Sequence, residues 1–161
     1  MVAIDESRRP TSATKRILLA VDRSPRAEAV AAITADTARG AHAAVRLLHV
    51  APEASAVHDA QGRVVVYADQ ETESFSSRGV DFLRTLEVYF SGMPVESVVR
   101  FGDPVAQILD EAEAFQADLI VVGTAGRSGI GRVLLGSVAE RVFGRATVPV
   151  ILVRPPAPAA T

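Results

Sequence analysis

Asp118-Leu119-Ile120-Val121-Val122-Gly123-Thr124-Ala125-Gly126 joins an apolar run to a glycine-rich stretch, which continues through Arg127, Gly129, Gly131 and Arg132 to Gly136-Ser137. The apolar part shows no alternation, so it reads as a strand buried on both faces. The glycines let the backbone turn tightly and approach an anion, and Ser137 opens a helix running to about Phe143. The free N–H groups of such a helix are donors with a favourable dipole. A two-face-buried strand feeding a loop and a helix is the unit of a parallel α/β sheet.

The same unit recurs outward from this stretch. Lys15 to Val21 is an apolar strand followed by Asp22-Arg23-Ser24-Pro25, where Ser24 suits a helix cap and Pro25 the first helical position. That helix should run to about Arg39, with Ala27, Val30, Ala31, Thr34 and Ala38 on its inner face and Gly40 ending it. A strand over Ala44 to Val50 follows. Residues 51–68 are turn-rich at first, and Val64 to Tyr67 reads either as a short extra strand or as the lead into a helix. Phe75, Gly79, Phe82, Leu83, Leu86, Tyr89 and Phe90 recur at helical spacing within Asp69 to Ser91, a core stripe that Gly92 and Pro94 terminate. A strand over Val95 to Arg100 leads to Asp103-Pro104, a second cap and first-position pair, and Val105, Ile108, Leu109 and Ala112 form the next amphipathic face. Val148 to Val153 closes the series. The expected architecture is α/β: a single doubly wound domain over 15–154, with a five-stranded parallel sheet in the order 3-2-1-4-5 and helices on both faces. Strands one and four are neighbours in that order, so Asp22 and Gly123 should face one crevice at the C-terminal ends of the strands, where such sheets bind ligands.

Composition narrows the classes. A chain of 161 residues suits one domain with a sizeable core. The balance of 17 basic and 19 acidic side chains gives no electrostatic case for a nucleic-acid or membrane partner. Without cysteine there is no disulfide, thiolate metal site or cysteine nucleophile. Residues 1–14 are polar and lack the apolar stretch of a signal peptide, and no later run is long enough to span a membrane, so a cytoplasmic location is expected. Residues 1–14 and the proline-rich 155–161 read as disordered tails. His42, His49 and His58 lack metal-ligand spacing, and His49, at a strand end, reads as structural. Asp110, Glu111 and Glu113 read as a solvated helix face.

Two readings of the glycine-rich stretch stand side by side. Ser137 and Glu140 can form a capping box that needs no ligand, or the helix start can cradle a phosphate. Neither familiar phosphate motif applies. A P-loop needs Lys-Ser or Lys-Thr after its second glycine, and the dinucleotide fingerprint needs a third glycine where Leu134 stands.

The spacing Gly123-x2-Gly126-x9-Gly136-Ser137 is similar to the G-x2-G-x9-G-[ST] motif of ATP-binding members of the universal stress protein family. The likeness extends to Leu47-Leu48-His49-Val50, Phe101-Gly102-Asp103-Pro104 and Val148 to Val153, and covers nearly the whole chain. The resemblance implies a Rossmann-like, adenine nucleotide alpha hydrolase-like fold and an ATP site. In it Asp22 lies near the ribose and Mg2+, Val50 and Val122 border the adenine, and Gly123, Gly126, Gly136, Ser137 and Val138 hold the phosphates. Family members often carry proline two residues before the aspartate; this chain has Ala20. Arg127 and Arg132 are candidates to offset triphosphate charge. An apolar strand at a sheet edge invites pairing with another chain, and the resemblance likewise implies a homodimer through Val148 to Val153. The function implied is a nucleotide-dependent module of the stress response. No catalytic residue stands out, which leaves at most slow ATP hydrolysis, while cAMP or another adenine nucleotide, or a ligand-free scaffold, are the alternatives.

Overall fold

Ile17, Leu18, Leu19 and Ala20 are all buried, as an unalternating apolar strand requires, and they place the first strand, β1 (Arg16–Ala20), at the centre of a sheet. The computed structural model describes residues 15–55, 57–124 and 136–154, so both predicted tails lie outside the described residues. After β1 come α1 (Ala27–Ala41), β2 (Ala44–Ala51), the short β3 (Val57–His58) and β4 (Val64–Val66), then α2 (Ala68–Glu87) with a tight turn over Val88–Phe90. β5 (Val95–Phe101), α3 (Pro104–Phe115), β6 (Leu119–Gly123), α4 (Ser137–Arg145) and β7 (Val150–Val153) complete the chain. The main sheet has five strands, all parallel, in the order β5-β2-β1-β6-β7, which is the predicted 3-2-1-4-5.

Alternate residues of each strand serve two cores. Ile17, Leu19, Val45, Leu47 and Val121 pack under α1 and α2 with Val30, Leu83, Leu86 and Phe90. Leu18, Ala20, Leu48, Ile120 and Val122 pack under α3 and α4 with Val105, Ile108, Phe115, Ala139 and Val142.

Three local expectations differ. Helix α1 starts at Ala27, because the Asp22 carboxylate accepts the Ser24 N–H at 3.1 Å and the Ser24 carbonyl accepts the Ala27 N–H at 3.1 Å, holding Ser24-Pro25 in a turn. Gly40 stays helical; His42, left-handed at φ 51, ends α1 through its N–H to Ala38 and Arg39. The last strand begins at Val150, two residues later than expected. By contrast Asp103-Pro104 behaves as read, the Asp103 side chain accepting the Ala106 N–H at 2.9 Å.

Val64 to Val66 is a strand, paired antiparallel with Val57–His58. Asp59 shapes the turn between them by accepting the N–H groups of Gln61 and Arg63 and the Arg63 Nε–H, each at 2.9 Å. These bonds, that from the Arg63 backbone first, hold the Asp59 carboxyl below its ordinary value. A carboxylate whose folded value is depressed stabilises its turn above the unfolded value and loses that contribution as pH falls through the folded one. The protection of the Gln61 and Arg63 amides relative to their intrinsic exchange should therefore fall as pH drops below about 4, and in Asp59→Asn that fall should vanish. An unchanged profile in the variant would refute this.

Glu111 corrects the reading of α3. Asp110 and Glu113 are exposed, but Glu111 is only 2% exposed. It accepts Arg46 Nη1 at 2.5 Å and Arg100 Nε at 2.7 Å, while Arg46 Nη2 reaches Glu96 at 2.8 Å. The Arg46 guanidinium also stacks 4.3 Å from the Phe115 ring centroid. Burial disfavours the Arg46 charge, yet Glu96 and Glu111 outweigh that and hold it more firmly protonated than a free arginine.

Candidate functional site

Of the residues singled out in the sequence, the C-terminal ends of the strands carry Ala20, Val50, Val122 and Gly123. Ala20, the last residue of β1, pairs with Val122 of β6 on one side and Leu48 of β2 on the other. Ala20 and Val122 are buried, Val50 and Val138 half-buried, and all four lie in the core cluster beneath α3 and α4. Ala20, Val50, Val122 and Val138 thus all lie on the α3–α4 side of the sheet.

Gly123 ends β6, and a Cβ there would meet Val30 Cγ2 of α1 at 3.1 Å. Part of the reason for glycine at 123 is therefore the approach of α1. Thr124 is 8% exposed, and its N–H bonds the Val153 carbonyl at 2.8 Å, which fastens the chain to β7 as it leaves the sheet. Sequence reasoning passed over this threonine; its only signal was its place directly after an apolar strand. Gly126, Arg127 and Arg132 lie outside the described residues.

The chain is described again at Gly136, the cap of α4, with φ −58 and ψ 147 and its carbonyl accepting the Glu140 N–H at 3.0 Å. Ser137 is the first helical residue, exposed, rather than the cap, so the capping box does not form and α4 has no side-chain cap. An N-terminal turn leaves N–H groups without intrahelical acceptors, and among the described residues no side chain takes their place at the cap, which is a glycine. Arg141, one turn further on, stands 3.8 Å from the Asp103 carboxylate and links α4 to the cap of α3 at the same edge.

Asp22 follows β1 by two residues and is exposed. One carboxylate oxygen takes the Ser24 N–H. His49 is buried in β2, its Nδ1 3.1 Å from the Val21 carbonyl, a structural histidine as read. The open groove between α3 and α4, lined by Leu109, Gln116, Arg145 and Val148 among others, lies at the opposite edge, where β6 and β7 begin.

An acidic side chain after β1 and a helix N-terminus after β6, with apolar residues between, suit a ligand that has a flat apolar part and an anionic part.

Comparison with known proteins agrees with this architecture. A universal stress protein from Thermus aquaticus is 32% identical over 141 residues, 87% of this chain and 98% of that one. One from Methanocaldococcus jannaschii is 46% identical over 65 residues, 40% of this chain and 38% of that one, so this match spans well under half of that relative's length. Among solved structures, the Lactobacillus plantarum universal stress protein UspA superposes with a TM-score of 0.71 at 25% identity, covering 89% of this chain and 100% of that chain. The Archaeoglobus fulgidus universal stress protein in complex with dAMP gives 0.53 at 26% identity, covering 86% and 96%. Another, solved in complex with cAMP, gives 0.59 at 21% identity over 89% and 98%, a likeness of fold alone. Residues 13–154 match the universal stress protein family, and the chain belongs to it.

Proposed function

We propose that this chain binds an adenine nucleotide, ATP with Mg2+ foremost, at the C-terminal edge of the sheet between β1 and β6. It then acts as a cytoplasmic, dimeric stress-response module whose occupancy alters its stability or its partner contacts. One observation carries the reading: β1 and β6 are adjacent, so Asp22 and the segment that leads to the start of α4 leave the sheet from neighbouring strands. In this reading Val50 and Val122 border the base beside Ala20, and Gly123, Gly126, Gly136, Ser137 and Val138 hold the phosphates with help from Arg127. The dAMP complex of the Archaeoglobus fulgidus relative supports the ligand class.

Asp22 suits a magnesium ion shared with phosphate. Its carboxylate is exposed, and among the described residues no group of three or more histidines and carboxylates exists to form a separate cage. An ion held by one carboxylate, phosphate oxygens and water is ordinary for magnesium, and it would supply neutralisation of phosphate charge. Denaturing freshly purified protein and identifying the released nucleotide by mass spectrometry tests the reading. ATP or another adenine nucleotide is expected from wild type and none from Asp22→Ala. A full complement retained by Asp22→Ala would show that the site has been misassigned.

The dimer is proposed to form along β7, the strand at one end of the sheet. Ile120 and Thr124 donate to the carbonyls of Pro149 and Val153, so the main-chain groups of Val150 and Leu152 face away from β6. Leu152→Pro removes a donor on that open side while the β6 ladder keeps its own. Sedimentation velocity should report a dimer for wild type and a monomer for Leu152→Pro; an unchanged dimer would exclude the β7 edge.

A further inference from the structure

We infer that His49 is a positioning residue for the nucleotide site: its Nδ1–H holds the carbonyl of Val21 and thereby sets how the chain enters Asp22. A carbonyl oxygen only accepts, so the 3.1 Å contact requires the proton on Nδ1. The Val21 N–H meanwhile donates to Leu48 at 2.9 Å. Both main-chain polar groups of Val21 are therefore tied to β2, one by the ladder and the other by a side chain. The carbonyl that His49 holds belongs to the same planar peptide as the N–H of Asp22, so fixing one fixes the other.

The imidazole is itself held. It meets Phe82 edge-on at 5.5 Å between centroids, and α2 passes so close that a Cβ at Gly79 would stand 3.2 Å from His49 Cδ2. His49 is 9% exposed and acts on Asp22 only through the Val21 carbonyl. A packed second layer of this kind holds the residues in front of it in register. The inference rests on the nucleotide reading of Asp22.

Two variants separate the donor from the ring. His49→Phe keeps a ring of similar shape and loses the donor; His49→Asn keeps a donor at the same bond distance from Cβ and loses the ring. Affinity for Mg-ATP by calorimetry and the urea midpoint of nucleotide-free protein are read together. His49→Phe should bind about tenfold more weakly, the size of effect expected for one lost hydrogen bond. His49→Asn should bind within about threefold of wild type, since it retains that bond, while unfolding at lower urea. If His49→Asn loses affinity as much as His49→Phe does, or neither loses any, the effect belongs to packing and the inference is overturned. Wild type supplies a measurement independent of both variants. Sites that support one another do so reciprocally, so saturating Mg-ATP should slow exchange of the His49 Nδ1 proton, and unaltered exchange overturns the inference. Wild type that binds no nucleotide at all overturns the function proposed for Asp22 and this inference with it, a result distinct from wild type that binds while His49→Phe binds equally well.

Discussion

Glu111→Gln is expected to lower the free energy of unfolding by about 3 kcal/mol, the range found when one member of a buried ion pair is removed. The carboxylate is 2% exposed and faces guanidinium groups on two sides, from β2 and from β5. A glutamine must turn its amide N–H2 towards one of them, setting donor against donor. Arg46 bears most of the penalty because its side chain is 18% exposed, whereas that of Arg100 is 48% exposed and can turn to water. Among the described residues Arg46 Nε finds no partner in its buried setting, so this side chain has no acceptor to spare there. Removing the charges together should cost less, because a buried pair replaced by apolar groups is often near neutral. Arg46→Met with Glu111→Leu should thus unfold closer to wild type than Glu111→Gln alone, leaving Glu96 and Arg100 half-exposed. Urea midpoints decide it, and a Glu111→Gln midpoint matching wild type would remove the network from the account of stability.

Saturating Mg-ATP is expected to raise the melting temperature by about 5–10 °C. A ligand at 100 times its dissociation constant adds about 2.7 kcal/mol to the folded state, and a domain of this size gains about 2–4 °C per kcal/mol. Gly136→Val is the sharpest control. Gly136 has φ −58 and ψ 147, an extended conformation open to any residue, so its backbone gives no reason for glycine. Valine is a poorer cap than glycine, a cost of about 1 kcal/mol, so the unliganded melting temperature should fall by no more than about 4 °C, yet the Mg-ATP shift should be abolished because a branched Cβ occupies the approach of the phosphate. Gly123 cannot serve the same purpose, since its contact with Val30 mixes a packing cost into any result. A full shift in Gly136→Val would move the phosphates away from α4, and no shift in wild type at millimolar Mg-ATP would remove the nucleotide.

The sheet was legible because a strand buried on both faces shows itself in a run such as DLIVV or RILLA, and strands linked by helices pair in parallel, while their order is one of the few that doubly wound sheets adopt. The placement of Ala20, Val50, Val122 and Val138 on the α3–α4 side of the sheet was legible too, since each sits near the end of a strand or the start of a helix. Glu111 was hidden. In sequence it stands beside Asp110 and Glu113 like any solvated carboxylate, and its partners on β2 and β5 are brought to it only by tertiary structure. Ser24 and Ser137 misled for a related reason. Each has the chemistry of a helix cap, but the Asp22 carboxylate draws Ser24 into a turn, and Gly136 takes the cap ahead of Ser137. Capping preference is worth about 1 kcal/mol, and neighbouring geometry overrides it.

The pairing of Ile17 with Leu119 also dictates an order of assembly. A growing chain that has reached Phe101 already contains β1, β2 and β5, which can pair among themselves, but one edge of β1 stays bare until β6 has been made. Contacts so distant in sequence form late, because the loop must close before the pairing rewards it. The crevice proposed for the nucleotide lies on that seam, so it is completed only when the second half of the chain docks, and a nascent chain halted before Leu119 has a β-template where the mature protein pairs β1 with β6.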